Sequence, residues 1–254
     1  MFQSTHSKGI QALMATLGCS SLLLISAMAW AQADEAASEP PTAPTEAPGD
    51  TPGDEASLVA ASVQRFYDQT QNVSASFYQT YVNRLYKRTD RSKGRVVFKK
   101  PGQMRWDYDK PNGKVIASDG KRVVIYEPAD EGERGQVIEQ PITQAQLPQA
   151  LAFLMGTGRL QEDFTFRLLD PAKEGYSGGH VLELRPRADT PHYARLLFYV
   201  EKRAALRGLV RRLLIIDHNG NRNRFDFSAM KFNKSAPETL FRYQPPAGAR
   251  RVQM

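Results

Sequence analysis

The first large apolar residues after position 56 recur at the spacing of one face of a helix. They are Leu58, Val59, Val63 and Phe66. Ser57 stands directly before them, and serine is a common cap of a helix N-terminus. The pattern therefore predicts an opening helix over residues 58–67.

After this helix, apolar residues recur at every second position, and this spacing predicts strands that have one buried face. The clearest alternation joins Met104, Trp106 and Tyr108, which are separated by charged residues. Phe77 belongs to an earlier run that is rich in aromatic and β-branched side chains. We expect that run to be broken at Gly94, because glycine weakens a strand interior.

Turn signals and later apolar runs complete the fold prediction. Asn-Gly and Asp-Gly pairs favour tight hairpins, because both central residues of a type I′ turn need positive φ. The later candidate strands are residues 164–169, 180–185, 194–201, 209–217, 221–230 and a short one at 241–244. The sum is a mainly β fold with some α-helix and about eleven strands. So many consecutive strands curl, which predicts an unclosed antiparallel β-barrel.

The strand pattern is interrupted at residues 143–155, where apolar residues have helical spacing. Leu147, Leu151 and Phe153 carry this apolar face, and Gly156 provides a stop. We expect this segment and the opening helix to form a lid over the concave apolar face of the barrel. Two short helices do not have to fill all the space over the concave face of such a large sheet, so a hollow is expected beneath them.

The N-terminal residues have a different composition. Residues 1–33 combine a basic residue, an apolar core and small residues at Ala31 and Ala33, the two candidate cleavage sites of a signal peptide. Residues 34–56 are rich in Pro, Ala, Asp and Glu and predict a disordered acidic linker. Residues 57–254 then form the single folded domain. Cys19, the only cysteine, lies in the leader, so no disulfide is expected.

The charge is divided unevenly along the chain. The formal net charge is +7, but 33 of the 34 bases and only 20 of the 27 acids lie from residue 57 onward, which gives that part about +13. Nucleic acid is an unsuitable partner for an exported protein. An anionic membrane surface or an acidic membrane protein fits better, and a basic surface that serves only solubility is the alternative.

Motifs for catalysis or metal binding are missing from the sequence. His180, His192 and His218 do not have the spacing of a metal site. No nucleophile elbow or phosphate loop occurs, and Asp107 and Asp109 lie on the charged side of the alternating strand. We therefore expect neither an enzyme nor a metal or other cofactor.

Several segments resemble the outer-membrane lipoprotein carrier (LolA) family. FKKPGQMRWDY at residues 98–108 is similar to the family's basic-Pro-x-x-x-x-Trp segment. SDGK at 118–121 with YEP at 126–128, VSASFYQ at 73–79 and LMG at 154–156 resemble further family segments in the same order. The resemblance implies an eleven-stranded unclosed barrel with a helical lid. It also implies a monomeric periplasmic carrier that takes lipoproteins from an inner-membrane ABC transporter complex to an outer-membrane acceptor.

The resemblance and the apolar faces together suggest site residues. The family's key arginine, which holds the lid through backbone groups, aligns with Lys100, and lysine lacks the planar fork of arginine. We expect acyl chains to contact the apolar face of the sheet and of the lid: Phe77, Met104, Trp106, Tyr108, Leu147, Leu151 and Phe153. The alternatives are a carrier of another envelope lipid or glycolipid, and an envelope-stress lipid sensor that binds a regulatory protein.

Overall fold

The computed structural model describes residues 52–129, 134–144, 151, 153 and 155–252 of the chain. The predicted leader, most of the predicted linker and Leu147 lie outside these residues. In the described part, no helix is both long and apolar enough to cross a membrane.

The opening helix, α1, spans Pro52–Asp68 and thus begins earlier than predicted. Proline suits a first helical turn, because the N–H that it lacks has no partner there. The boundary drawn at residue 57 between linker and domain therefore lies inside the helix. The buried stripe also differs from the predicted one: Leu58 is exposed, whereas the residues that face the sheet are Ala56, Val59, Ala60, Val63 and Tyr67.

Twelve strands form one sheet. Their bounds are β1 (Asn72–Asn83), β2 (Arg88–Lys99), β3 (Gln103–Tyr108), β4 (Val115–Asp119), β5 (Arg122–Glu127), β6 (Gln136–Pro141), β7 (Phe164–Leu169), β8 (Gly179–Pro186), β9 (Arg195–Glu201), β10 (Val210–Ile216), β11 (Arg222–Phe232) and β12 (Arg250–Val252). The order in the sheet is β12-β6-β5-β4-β3-β2-β1-β11-β10-β9-β8-β7. The edge strands β12 and β7 do not pair with each other, so the predicted mainly β, unclosed barrel is confirmed. Among the described strand pairs, only β12 and β6 are parallel.

The predicted break at Gly94 is wrong, because β2 continues through it. Gly94 pairs with Phe77 on one side and with Tyr108 on the other. A Cβ atom at position 94 would lie 2.1 Å from the carbonyl oxygen of Asp107 and 2.9 Å from the Phe77 ring. Glycine thus permits a close approach within the sheet instead of ending a strand.

The predicted strand at residues 241–244 is also wrong. A short 3₁₀ helix, Glu238–Phe241, lies there instead, and its Phe241 side chain is buried. The last strand is β12, which follows later and pairs with β6. The alternation signal is weak over such short elements, so their positions depend on partners that are distant in sequence.

The inner face of the sheet is the face that α1 covers, and it carries the main core. Alternate residues of β1, β2, β3, β8, β9, β10 and β11 form one apolar cluster with α1. The segment between β6 and the short helix α2 (Leu160–Asp163), residues 142–159, is the lid segment, and it contributes to the same cluster. On the outer face, Glu183 is buried among Arg167, Arg185 and Arg195. The same face also carries a second, smaller apolar cluster, which consists of Val181, Leu197, Tyr199, Leu214 and Ile216.

Candidate functional site

The four sheet residues singled out in the sequence lie together on the inner face. Phe77, Met104, Trp106 and Tyr108 are all buried. The ring of Phe77 lies 4.9 Å from the ring centres of both Trp106 and Tyr108, in edge-on contact. Phe225 of β11 completes the group, with its ring centre 5.1 Å from that of Trp106. The strand alternation therefore places these side chains in one aromatic cluster.

Three described apolar side chains of the lid segment point into the same interior. Leu151 and Phe153 are buried, as is Met155, which the sequence analysis did not select. The amide of Met155 donates to the Leu151 carbonyl at 3.3 Å, which closes one helical turn. Gly156 follows with a φ of 70°, a left-handed conformation that suits glycine and ends the turn as predicted.

Phe153 lies between the opening helix and the sheet. Its ring centre is 5.1 Å from that of Tyr67 in α1 and 4.7 Å from that of Phe198 in β9. Tyr67 also accepts a hydrogen bond on its hydroxyl from the Val210 amide at 3.2 Å. Burial raises the pKa of the Tyr67 hydroxyl, so this group stays neutral. Phe153 thus joins α1, the lid segment and the sheet.

Between the described residues of the sheet, α1 and the lid segment, the expected hollow is small. A space of about 10 Å³ remains between the sheet, α1, Leu151 and Phe153, which is about the room for one water molecule. A second hollow of about 330 Å³ lies nearer the surface, beside α2 and the β8–β9 connection. Phe153 lines both spaces. The protein's own side chains therefore occupy the interior.

Lys100 follows the end of β2 and contacts both α1 and the lid segment, the two elements that cover the inner face of the sheet. Its Nζ donates to the Tyr67 carbonyl at 2.6 Å and to the Asp68 carbonyl at 3.4 Å. These carbonyls end α1, where the partial negative charge of the helix favours a cation. The stem of Lys100 contacts the lid segment, since a Cβ atom at Gly156 would lie 2.8 Å from the lysine Cδ. Desolvation lowers the Lys100 pKa, and the nearby Asp68 carboxylate opposes that shift.

Beside Lys100, a backbone hydrogen bond also connects the lid segment to the sheet. The Gly102 amide donates to the Met155 carbonyl at 3.2 Å. In the described residues, the lid segment is therefore joined to the β2–β3 turn by one backbone hydrogen bond and by the contact between Lys100 and Gly156.

The lining of the interior is aliphatic and aromatic. The Trp106 Nε1 is buried and has no hydrogen-bond partner in the described residues. Those residues also contain no group of three or more His, Cys, Asp or Glu side chains arranged around a potential metal. An interior of this kind can hold apolar groups by burial and offers them few polar contacts.

Sequence reasoning missed several members of the site. Phe225 alternates with Asp226 and Phe227 in a predicted strand, so the period of two already indicated that it faces inward. Phe198 lies in β9, whose apolar residues are continuous, so alternation does not tell which of them face inward. Tyr67 was the last residue of the predicted helix, but nothing in the sequence indicates its contacts with Phe153 and Val210. Met155 stands next to the predicted glycine stop, where helical periodicity is least informative.

Comparisons with known proteins agree with the resemblance. The family model "Outer membrane lipoprotein carrier protein LolA" matches residues 68–244. The outer-membrane lipoprotein carrier protein of Nitrosospira multiformis is 27% identical over 187 residues, which cover 74% of this chain and 84% of that protein. That of Cupriavidus pinatubonensis is 28% identical over 198 residues, covering 76% and 87%. The crystal structure of a LolA superfamily protein from Nitrosomonas europaea aligns with a TM-score of 0.43 at 14% identity, over 74% of this chain and 97% of that chain. The family model spans more than half of the chain, and the chain therefore belongs to the outer membrane lipoprotein carrier protein LolA family.

Proposed function

We propose that this protein is a periplasmic carrier that shelters the acyl chains of lipoproteins and transports them from the inner to the outer membrane. The observation that carries the proposal is the apolar inner face of an open sheet, covered by a lid segment whose residues Leu151, Phe153 and Met155 are buried against it. Membership of the LolA family supports lipoproteins as the cargo. An inner-membrane ABC transporter complex would supply the lipoprotein and an outer-membrane acceptor would receive it, with the carrier acting as a monomer and without a cofactor.

The energetics of lipid transfer explain why such a carrier is needed. Burial of one CH₂ group is worth about 0.8 kcal/mol, so three acyl chains exposed to water would cost on the order of 30 kcal/mol. A lipoprotein does not leave a membrane unaided against that cost. A protein interior that replaces the bilayer removes most of it.

Loading requires the lid segment to move. The interior space of about 10 Å³ cannot accept an acyl chain. Leu151, Phe153 and Met155 would have to withdraw, and the cargo would take over their contacts with the sheet. Each displaced side chain loses about 1.5–3 kcal/mol of burial, so the lid segment competes with the cargo. This competition keeps the net affinity low enough for release.

The organisation of the whole chain is part of the proposal. Residues 1–33 act as a signal peptide that is cleaved after Ala31 or Ala33. The acidic residues that follow connect the new N-terminus to the folded domain. Export would place the carrier in the periplasm, between the two membranes that it serves.

The test of this function is the identity of the bound cargo. The full chain should be expressed in a Gram-negative host, recovered from the periplasm without detergent and analysed by mass spectrometry. We expect triacylated lipoproteins to copurify in about equimolar amount. Recovery of a glycolipid or another envelope lipid instead would identify a different cargo class and contradict the lipoprotein assignment, as would recovery of empty protein alone.

We predict that Lys100 holds the closed state. Lys100→Met keeps the stem but removes the donors to Tyr67 and Asp68, which should weaken closure by about 1–2 kcal/mol. Opening would then be about 5–30 times more frequent. Hydrogen exchange of the Gly102 amide measures this directly, because its partner is the Met155 carbonyl of the lid segment.

Two variants make this measurement specific. Lys100→Arg retains a donor and should keep the exchange rate of the Gly102 amide slow. Lys99→Met removes the neighbouring cation, which pairs with Glu238 on the opposite face, and should also leave that rate unchanged. Equal rates in Lys100→Met and in the unmodified protein would contradict the role of Lys100.

A further inference from the structure

The turn between β1 and β2 exposes an apolar pair. Among the described residues, only four large apolar side chains are exposed, and two of them are neighbours in this turn. Leu85 is 80% exposed and Tyr86 is 68% exposed. We refer to residues 84–87 as the hairpin tip. Two adjacent apolar side chains at the end of a hairpin form a small protruding contact surface.

Positive charge is concentrated in this turn and in the first half of β2, and we refer to these cations as the collar. Its five cations are all exposed: Arg84, Lys87, Arg88, Arg91 and Lys93. Asp90 is the only carboxylate between residues 84 and 93, and it pairs with Arg88 at 2.7 Å. Residues 84–93 therefore combine a net positive charge with a protruding apolar pair.

The hairpin tip is held in place by hydrogen bonds. The Asn83 side chain accepts from the Tyr86 amide at 3.0 Å, and the Arg84 amide donates to the Asn221 side chain at 2.9 Å. Asn221 is itself fixed by two hydrogen bonds of 2.8 Å to Asp217. The backbone of the turn is thus pre-organised, and the apolar pair is presented to the solvent by a defined structure.

We propose that the hairpin tip binds the surface of an anionic bilayer. Leucine gains free energy when it enters the acyl boundary, and tyrosine suits the headgroup level, where its ring is buried and its hydroxyl is hydrated. Lysine and arginine are attracted to anionic headgroups, and their long stems let the charges remain in the headgroup region while Leu85 inserts. A chemically matching surface is therefore a membrane that contains phosphatidylglycerol.

The inference rests on the proposed function, because a lipid carrier must approach a membrane. The hairpin tip would make that contact. The tip lies at the end of β2 that is remote from Lys100, since Arg88 begins the strand and Lys99 ends it. Membrane contact and closure of the lid segment are thus assigned to opposite ends of one strand. Variants at the tip should leave Lys100 and the interior unchanged.

The test is flotation of the exported, cargo-free protein with vesicles. We expect binding to vesicles of phosphatidylcholine that contain one third phosphatidylglycerol, and little binding to phosphatidylcholine alone or at high salt. The double variant Leu85→Ser/Tyr86→Ser should bind about tenfold more weakly or worse. The double variant Lys87→Gln/Arg91→Gln should lose about 25-fold, at roughly fivefold for each cation near the surface.

Matched variants elsewhere provide the controls. Leu58→Ser removes another exposed leucine, on α1, and Lys231→Gln/Lys234→Gln removes two exposed lysines near the other end of the sheet. Both should bind as the unmodified protein does. In addition, Tyr86→Trp should show a blue-shifted fluorescence when phosphatidylglycerol vesicles are added.

Two results would overturn the proposal: absence of binding to anionic vesicles, or equal losses in the tip variants and the controls. The first result would instead favour an acidic protein as the partner of the collar, and the second would mean that vesicle binding does not depend on the hairpin tip. The assay contains no lipoprotein, so its outcome is independent of the cargo. Copurified lipoprotein without vesicle binding would refute the role of the tip alone.

Discussion

The Phe153→Ala variant should be less stable than the unmodified empty protein by about 3–5 kcal/mol in free energy of unfolding. Phe153 is buried, and its ring contacts those of Tyr67 and Phe198. Alanine would leave a cavity that joins the small interior space to the hollow of about 330 Å³ near the surface. The loss combines the transfer free energy of the ring with the incomplete collapse of its surroundings. Urea denaturation of the delipidated protein measures it.

The more informative result is the rescue of this variant by an apolar ligand. A cavity lined by aliphatic and aromatic groups binds apolar molecules, and a ligand that binds only the folded state raises stability. A medium-chain fatty acid should therefore restore most of the lost stability of Phe153→Ala and stabilise the unmodified protein much less. The expected difference exists because the phenyl ring occupies space that the ligand would otherwise fill.

Phe241→Ala is the matched control for the rescue. Phe241 is equally buried but lies outside the interior cluster, beside Lys99. Its replacement should destabilise the protein by a similar amount, and the fatty acid should not recover that loss. If both variants respond equally to the ligand, Phe153 does not line the acyl-chain site.

The fold was predictable wherever the local pattern was strong. β7 was predicted with its observed bounds, and the alternation around Trp106 correctly placed three buried side chains on one face. The prediction was wrong at Gly94 and at Leu58. The conformation at Gly94 and the exposure of Leu58 both depend on residues that are distant in sequence. β3 lies close to Gly94, and α1 packs a different stripe of residues against the sheet.

The candidate site was only partly predictable for the same reason. The apolar spacing of the lid segment identified Leu151 and Phe153, and both point inward. How completely they fill the interior depends on the curvature of the sheet, which periodicity does not encode, so the expected hollow is much smaller in the closed structure. The contact of Lys100 with the end of α1 likewise joins residues that are far apart in sequence.

Leu151→Asp is expected to abolish loading of lipoproteins while the sheet and α1 remain folded. Leu151 is completely buried in the interior, and an ionised carboxylate there would lack a partner at a cost of several kcal/mol. The lid segment can avoid this cost by leaving the interior, since its described contacts with the β2–β3 turn are the hydrogen bond of Gly102 and the contact with Lys100. The variant should then keep its β-sheet circular dichroism and bind a hydrophobic dye more strongly.

Loading should fall at least about 100-fold, because a loss of about 2.8 kcal/mol in the closed, loaded state suffices for that factor. The measurement is the amount of lipoprotein that copurifies from the periplasm with each variant. Leu58→Asp places the same charge at an exposed leucine and should load normally. Trp106→Asp is unsuitable for this purpose, since Trp106 is surrounded by Phe77, Phe98, Phe225 and Phe227, and a charge there should unfold the sheet itself. Normal loading by folded Leu151→Asp would mean that acyl chains do not occupy the space beneath the lid segment.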